Sequence, residues 1–577
     1  MNRLALLLFL VVVGAGCVQS RDRKEPFPVN LGSKPSCTDW LWPMPTIVNC
    51  STGSKVYFAK DFKINFVNDS KAQGSAILKT ALEQFQANAF QPPELIERGT
   101  GTEPEVSSEA PSPTTINQLT LFVRDDNVGD KGKALGDDES YALDVTDSGA
   151  SIHANTVWGA LYALTTFEQL IVLGTDGAAT IVGGPVSVYD TPRYPWRGLL
   201  IDSVNHFLPV SDILRTVATM AKNKMNVLHW HLTDSYSFPF ESQRFPELSA
   251  SGAWHKNAVY THGDVSQVES YARYRGVRVV LEVDQPGHAY SWGLGKPGIT
   301  IPCPSVEKDI GPINVVPFDP TNDETYATIT GILEELAALV PGEHFHLGGD
   351  ELQYGCWNAS VHVKKWMAKE GIPSWEGVTQ HFFSRIRKVS EQTLGRLAVV
   401  WEDLFFDTKG NINFNSSTVP FPPGKAIIEV WTSPEFLSKA TQAGYDAILA
   451  YGWYLDRQVP VDNETSWFWE DTWRFMYLND PENIDPAISS ASYEMVNSGT
   501  VLGGEASMWS EQVDPTVLDG RIWPRACAVA ERLWSPKSLR DVQAASARLN
   551  RHRCRLKGST GIQAGPIWAG YCAPSYA

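Results

Sequence analysis

Residues 196–234 read WRGLLIDSVNHFLPVSDILRTVATMAKNKMNVLHWHLTD, and this stretch decides the fold. Two short runs, RGLLID (197–202) and MNVLHWHL (225–232), are nearly continuous in apolar residues. Strands apolar on both faces belong to parallel sheets, which are covered on both sides. Between them Ile213, Leu214, Val217, Met220 and Ala221 share one helical face, with Ser211 as the expected N-cap. The strand–helix–strand pattern then repeats. Further apolar runs are VRVVLEV (277–283), HFHLGG (344–349), LAVVW (397–401), AIIEVW (426–431), DAILAYGW (446–453) and TVLGGE (500–505). Ile329, Ile332, Leu333, Leu336 and Leu339 form another helical face before the fourth run. Eight strands in about 310 residues predict a (β/α)8 TIM barrel, an α/β fold. The interval 404–424, with Asn, Pro, Gly and Ser and no helical period, predicts one irregular crossover.

Upstream the pattern is different. Strand-like runs at 55–58 and 119–123 and helical ones at 76–90 and 156–172 predict a small α/β domain over 21–190, with the barrel over 191–577. Residues 99–117 (GTGTEPEVSSEAPSPTTIN) are too polar and Pro-rich to offset the entropy of ordering, and read as an exposed loop. Arg3 followed by the apolar run Leu4–Val13 and by Gly14, Ala15 and Gly16 reads as a signal peptide over 1–20, leaving no membrane anchor after its removal. Gly16-Cys17 is a weak match to lipoprotein processing, because Gly14 stands where that signal takes Leu.

A secretory route makes the cysteines legible. Without Cys17 seven remain, so one thiol is unpaired. Cys527, in the apolar run ACAVA, is the expected free one. Cys37–Cys50, Cys303–Cys356 and Cys554–Cys572 are the expected bridges. Asn49, Asn68, Asn358, Asn415 and Asn463 head glycosylation sequons. The net charge of −17 argues against nucleic acid as a partner, since phosphates need Lys and Arg. Twenty Trp residues suit stacking on sugar rings, although most must fill cores.

In a (β/α)8 barrel the chemistry sits where the strands end. Those positions carry Asp202, Asp234, Asp284 with His288, Asp350 with Glu351, Trp401 with Glu402, Trp431, Tyr454 with Asp456, and Trp509 with Glu511. An acidic and aromatic site without a basic cluster or a Gly-rich phosphate loop suits glycoside chemistry, and neither cofactor nor metal is expected. In HFHLGGDE (344–351) two glycines lift the backbone so that two successive carboxyls enter one site. Neighbouring carboxyls resist double ionisation, which keeps one as a proton donor. Adjacent residues cannot easily flank a sugar from opposite faces, so the substrate is expected to supply its own nucleophile.

The motifs WRGLLID, NVLHWHLTD, DQPGH, HLGGDE, GWYLD and GGEASMW together resemble the family 20 glycoside hydrolases, the β-N-acetylhexosaminidases of lysosomal eukaryotic type. The resemblance implies a glycan substrate with a terminal N-acetylhexosamine, cleaved by a substrate-assisted route. It implies Glu351 as general acid and then base, and Asp350 as the group that orients the 2-acetamido arm. Tyr454 would hold its carbonyl, Trp401, Trp431 and Trp509 would wall the pocket, and Arg197, Asp456 and Glu511 would hold hydroxyls. His288 with Asp234 would tune Glu351. A lysosomal or secreted enzyme, assembled as a homodimer, is the expected form. A glycan-binding protein that had lost catalysis should lack Asp350, Glu351 or Tyr454, and all three are present. A conventional two-carboxylate glycosidase, indifferent to the acetamido group, is the other alternative. Two departures stand out: Asn205 replaces the Arg usual in the first-strand motif, and Asp456-Arg457 combines a residue that favours neutral sugars with one that favours charged ones.

Overall fold

The computed structural model describes residues 36–51, 54–66, 75–90, 95–96, 114–125, 132–173, 178–303, 316–406, 419–457, 473–482, 500–568 and 571–572. Eight parallel strands form a closed barrel: β1 (Trp196–Asp202), β2 (Val227–Thr233), β3 (Arg278–Val283), β4 (His344–His346), β5 (Leu397–Trp401), β6 (Ala426–Val430), β7 (Asp446–Leu449) and β8 (Val501–Met508). They pair in chain order, and β1 returns to β8 from Trp196↔Gly503 to Ile201↔Met508. Every residue of β1 and β2 is buried, as the apolar runs demand. The helix after β1 spans Val210–Lys222 and buries Ile213, Val217 and Met220. It starts two residues earlier than expected. Pro209 stands at its N-cap, which sets the entry angle through its fixed φ, and Ser211 lies inside the first turn without capping it. Between β5 and β6 the described residues hold only a 3₁₀ turn, Glu402–Leu404.

Side chains alternate across a strand, so every second residue enters the barrel. The lowest interior layer is an apolar plug of Trp196, Val227, Val280, Val399, Ile427, Ile448 and Leu502. One step up, the layer is charged. His229 Nδ1 lies 2.6 Å from Glu505 Oε1 and its Nε2 3.0 Å from Glu282 Oε2, while His346 Nδ1 lies 2.9 Å from Glu282 Oε1. A step higher still, His231 places Nδ1 2.5 Å from Glu282 and Nε2 2.9 Å from Asp234. The runs read from sequence as nearly apolar therefore carry, on their inward parity, a ladder of ion pairs leading up to the site.

That charged layer has a consequence for stability. Burial lifts Glu429 to about 8 and Glu505 to about 7. Burial disfavours the His229 cation, but Glu505 and Glu282 outweigh it and raise that group to about 10. A carboxyl lifted in the folded state holds a proton that the unfolded chain has released. Its stabilising contribution, complete in acid, is lost as pH rises from the ordinary carboxyl value through about 7–8. His229 keeps its proton throughout that range. Histidines held neutral, such as His344, oppose the trend only below the ordinary imidazole value of about 6.5. The unfolding temperature should therefore fall between pH 6.5 and 8, and Glu429→Gln should flatten the slope. Thermal melts across that window check it, and a rising curve contradicts it.

The upstream region folds as an eight-stranded mixed sheet in the order 47–50, 186–190, 141–146, 149–156, 114–125, 55–66, 179–182 and 171–173, with helices Ala76–Asn88 and Val157–Leu170. Thr114–Asn117, read as the end of the polar loop, open the strand Thr114–Asp125 instead, where Thr114, Thr115 and Ile116 pair with Val56, Tyr57 and Phe58 and buried Ile116 joins the core. The rest of that loop and the segment 1–20 lie outside the described residues. Trp534 bridges the sheet and the barrel: its indole donates to Asp190, and Lys224 pairs with the same carboxylate at 2.8 Å. Disulfides join Cys37–Cys50, Cys303–Cys356 and Cys554–Cys572, and Cys527 is free and buried. Asn49 and Asn358 are exposed, while Asn68, Asn415 and Asn463 lie outside the described residues.

Candidate active site

The C-terminal ends of the strands enclose a pocket of about 190 Å³, an order of magnitude above the roughly 10–15 Å³ that holds one water. Asp234, His288, Asp350, Glu351, Trp401, Trp431, Tyr454, Asp456, Trp509 and Glu511 all line it. Arg197 does not. It sits at the start of β1, about five residues or roughly 16 Å of strand below Asp202. There it is fully buried, binding Glu139 at 2.6 and 3.0 Å and the carbonyls of Lys224 and Tyr194, with its guanidinium over Trp534. Arg197 is a clamp between the barrel floor and the upstream sheet. The residue of this strand–loop unit that does line the pocket is Asn205. Its Nδ2 donates to Asp202 at 2.6 Å, and its buried Oδ1 has no hydrogen-bond partner. Asp202 itself accepts from Val204 N, Asn205 N, Ser510 N and Ser510 Oγ, so it ties the loops after β1 and β8 together.

The turn after β4 explains how two adjacent carboxyls share the site. Gly348 (φ +65) and Gly349 (φ +110) occupy backbone conformations open to glycine, and Glu351 (φ 48) follows in the left-handed region. A Cβ at Gly348 would lie 1.8 Å from Asp284 Oδ1, and one at Gly349 2.6 Å from the Leu404 side chain. The amide of Gly349 donates to Asp284 and that of Glu351 to Asp403, which pins the turn on both sides. Glu351 keeps about half its side chain exposed, whereas Asp350 is largely enclosed.

Electrostatics then separate the two. Burial pushes the Asp350 carboxyl well above its usual range; Asp284, Glu282 and Asp403 add to this and His288 opposes it. Its Oδ1 is buried with no partner, an acceptor kept open for a ligand. Burial works against the His288 cation, but Asp234 and Asp284 outweigh it and raise it well above the ordinary imidazole value. Its Nδ1 lies 3.2 Å from Asp234, and its Nε2 faces Glu351 at 3.7 Å and Asp350 at 4.0 Å. A charge ladder thus runs Glu282–His231–Asp234–His288 to the edge of the paired carboxyls.

The aromatic walls hang from the same acids. Trp401 is buried and donates to Glu282 at 2.8 Å. Trp431 donates its amide to Glu402 and its indole to Asp403 at 2.7 Å, and stacks on Tyr454 at 6.1 Å. Trp509 meets Trp401 at 6.1 Å and His231 at 4.9 Å. Glu511, lifted to about 7 chiefly by burial, and Asp456, also raised by burial, close the other side. Arg457, exposed and stacked over Tyr454 at 4.7 Å, lines the same pocket as Asp456. Alternation does not separate the two because they lie beyond the Tyr454–Ser507 bridge, outside any strand. Tyr236 and Asp403 carry no strand-end signal of their own in the sequence; each lies two residues past a residue that does, Asp234 and Trp401 respectively. Asp234, Asp284 and His288 lie close enough to share a cation, as do His229, His346 and Glu429, but carboxylate–imidazole pairing accounts for the first group's proximity.

Residues 194–537 match the family model described as the glycosyl hydrolase family 20 catalytic domain, and residues 41–170 match one described as beta-acetyl hexosaminidase like. The chain is 37% identical over 543 residues to beta-hexosaminidase subunit beta of Mus musculus, covering 92% of each. It is 36% identical over 578 residues to the Homo sapiens beta subunit, covering 99% of this chain and 95% of that one. A solved Flavobacterium johnsoniae chitobiase superposes with a TM-score of 0.71 at 26% identity, over 91% of this chain and 73% of that chain. The chain belongs to glycosyl hydrolase family 20.

Proposed function

We propose that this protein is an exo-acting β-N-acetylhexosaminidase that removes terminal N-acetylglucosamine and N-acetylgalactosamine by substrate-assisted, retaining catalysis. The observation that carries the reading is the pair Asp350–Glu351 in one aromatic-walled pocket, with the Asp350 Oδ1 unpartnered. Two consecutive residues reach a sugar from one side, so the nucleophile must come from the substrate. The acetamido carbonyl oxygen attacks C1 while the glycosidic bond breaks, and Glu351 gives its proton to the departing oxygen. Asp350 takes the acetamido N–H and faces the positive charge of the cyclised arm, while Tyr454 donates to the carbonyl oxygen. Water then attacks C1 and returns a proton to Glu351, which reopens the ring with overall retention. The family relationship and the beta-hexosaminidase names of the relatives support this reading. Hydrolysis of aryl β-N-acetylglucosaminide without hydrolysis of aryl β-glucoside is the expected result. Equal turnover of both would replace it with two-carboxylate chemistry.

Carboxyls lifted by burial suit an acidic compartment, and we place the enzyme in the lysosome or outside the cell. Among the described residues no helix is long and apolar enough to cross a membrane. A homodimer is the proposed assembly, in keeping with the subunit names of the relatives.

The charge preference follows from Asp456 and Arg457. A 6-sulfate on the bound sugar would meet Asp456, at about 1–4 kcal/mol for unit charges near 4 Å between aqueous and surface dielectrics. Neutral sugars should therefore be preferred. Asp456→Asn should raise the sulfated-to-neutral ratio of kcat/KM by about tenfold, within that range. Because Arg457 lines the same pocket, Arg457→Ala should lower the ratio. Assays on paired 6-sulfated and neutral aryl substrates check both, and an unchanged ratio in the two variants would remove these residues from charge selection.

A further inference from the structure

An exposed aromatic adjoins the pocket without belonging to its wall. Trp254 leaves 53% of its surface in solvent. Its indole N–H donates to the Val204 carbonyl at 2.8 Å, and its ring lies near-parallel to Tyr236 at 6.3 Å and 22°. Val204 immediately precedes Asn205, and both Asn205 and Tyr236 line the pocket. Trp254 therefore spans the loops after β1 and β2 at the pocket's rim.

The ring is also held. It follows the short helix Pro246–Gly252, whose last residue is wedged: a Cβ at Gly252 would lie 2.8 Å from the Ser291 carbonyl oxygen and 3.0 Å from Phe238 Cβ. The Gly252 carbonyl accepts from Phe238 N at 3.0 Å, which fixes the turn that delivers Trp254. A large apolar ring with its one polar edge satisfied, its backbone anchored and much of its surface wet is preorganised for contact.

We propose that Trp254, backed by Tyr236, is a stacking platform for the sugar on the leaving-group side of the scissile bond. The inference rests on the exo-hexosaminidase reading above. When the terminal sugar fills the pocket, all that projects past the rim is the leaving glycan. A pyranose with equatorial hydroxyls presents a flat C–H face, and an indole is the side chain that covers most of it. The platform favours leaving groups that begin with such a ring over small aliphatic aglycones.

The test compares wild type, Trp254→Ala and Trp254→Phe on the β-1,4 disaccharide of N-acetylglucosamine and on methyl β-N-acetylglucosaminide, which has no ring beyond the scissile bond. Trp254→Ala should lower kcat/KM for the disaccharide by about tenfold, mainly through KM, the scale of one lost aromatic contact. Trp254→Phe should retain most of the wild-type value, and methyl glycoside turnover should be the same in all three proteins. An equal fall on both substrates, or no fall on the disaccharide, overturns the platform. Failure of all three proteins to hydrolyse either substrate overturns the hexosaminidase reading itself, and the platform with it.

Discussion

Glu351→Gln should lower kcat on a natural glycan by about 10²–10⁴-fold, the range expected when a positioned proton donor is removed. The substitution preserves volume at a side chain already half exposed, so the fold should survive. The turn that presents it is built by Gly348, Gly349 and the amide contacts to Asp284 and Asp403, none of which uses the Glu351 carboxyl. The loss should depend on the leaving group. A good phenolate departs with little protonation, so aryl substrates should suffer less in their first step than a glycan alkoxide does. The second step, in which Glu351 draws a proton from water, should then limit turnover, and a pre-steady-state burst of phenol should appear. Rapid-mixing kinetics on nitrophenyl and disaccharide substrates measure both. Near-normal turnover of the disaccharide would take Glu351 out of its role.

The barrel was legible because its evidence is redundant. Eight runs of apolar residues, each followed by an acid or an aromatic, can satisfy parallel pairing and helix cover in few other ways. Reading the residue after each run collected ten members of the pocket. Arg197, which only the family resemblance brings forward, stands at the beginning of its run and therefore at the opposite end of the barrel. Polar residues inside a run carry no sign of which end they serve until parity and position are counted. Counting every second residue back from Asp284 and Trp431 reaches Glu282 and Glu429 of the charged interior layer, whereas Asp234 is out of parity with His229 and His231 because the register shifts between His231 and Thr233. Asn205 and Arg457 are harder. They lie in loops beyond the strands, where alternation no longer applies, and only the tie from Asp202 and the stacking on Tyr454 place them. Ser211 misled for a local reason: a good capping residue stood two places after a proline that sets the entry of the helix.

Asp350→Asn should cost roughly 10²–10³-fold in kcat, the scale of removing one preorganised group that faces developing charge. Burial and the nearby acids raise the Asp350 carboxyl, so its anion is held at high free energy until positive charge develops beside it. Positive charge forming on the acetamido arm relieves that strain, and this is where the difference between ground state and transition state arises. The neutral amide of the variant has no such anion to relieve, and it presents a mixed donor–acceptor end to the acetamido N–H. Ground-state binding should change little, so the loss should fall on kcat more than on KM. A thiazoline that copies the cyclised intermediate isolates this effect, because it binds through the charge and shape of that species without being hydrolysed. Its dissociation constant, measured by calorimetry with wild type and Asp350→Asn at the same acidic pH, should rise by at least about a hundredfold in the variant, in step with the fall in kcat; equal affinity for both proteins would contradict substrate-assisted catalysis at this site.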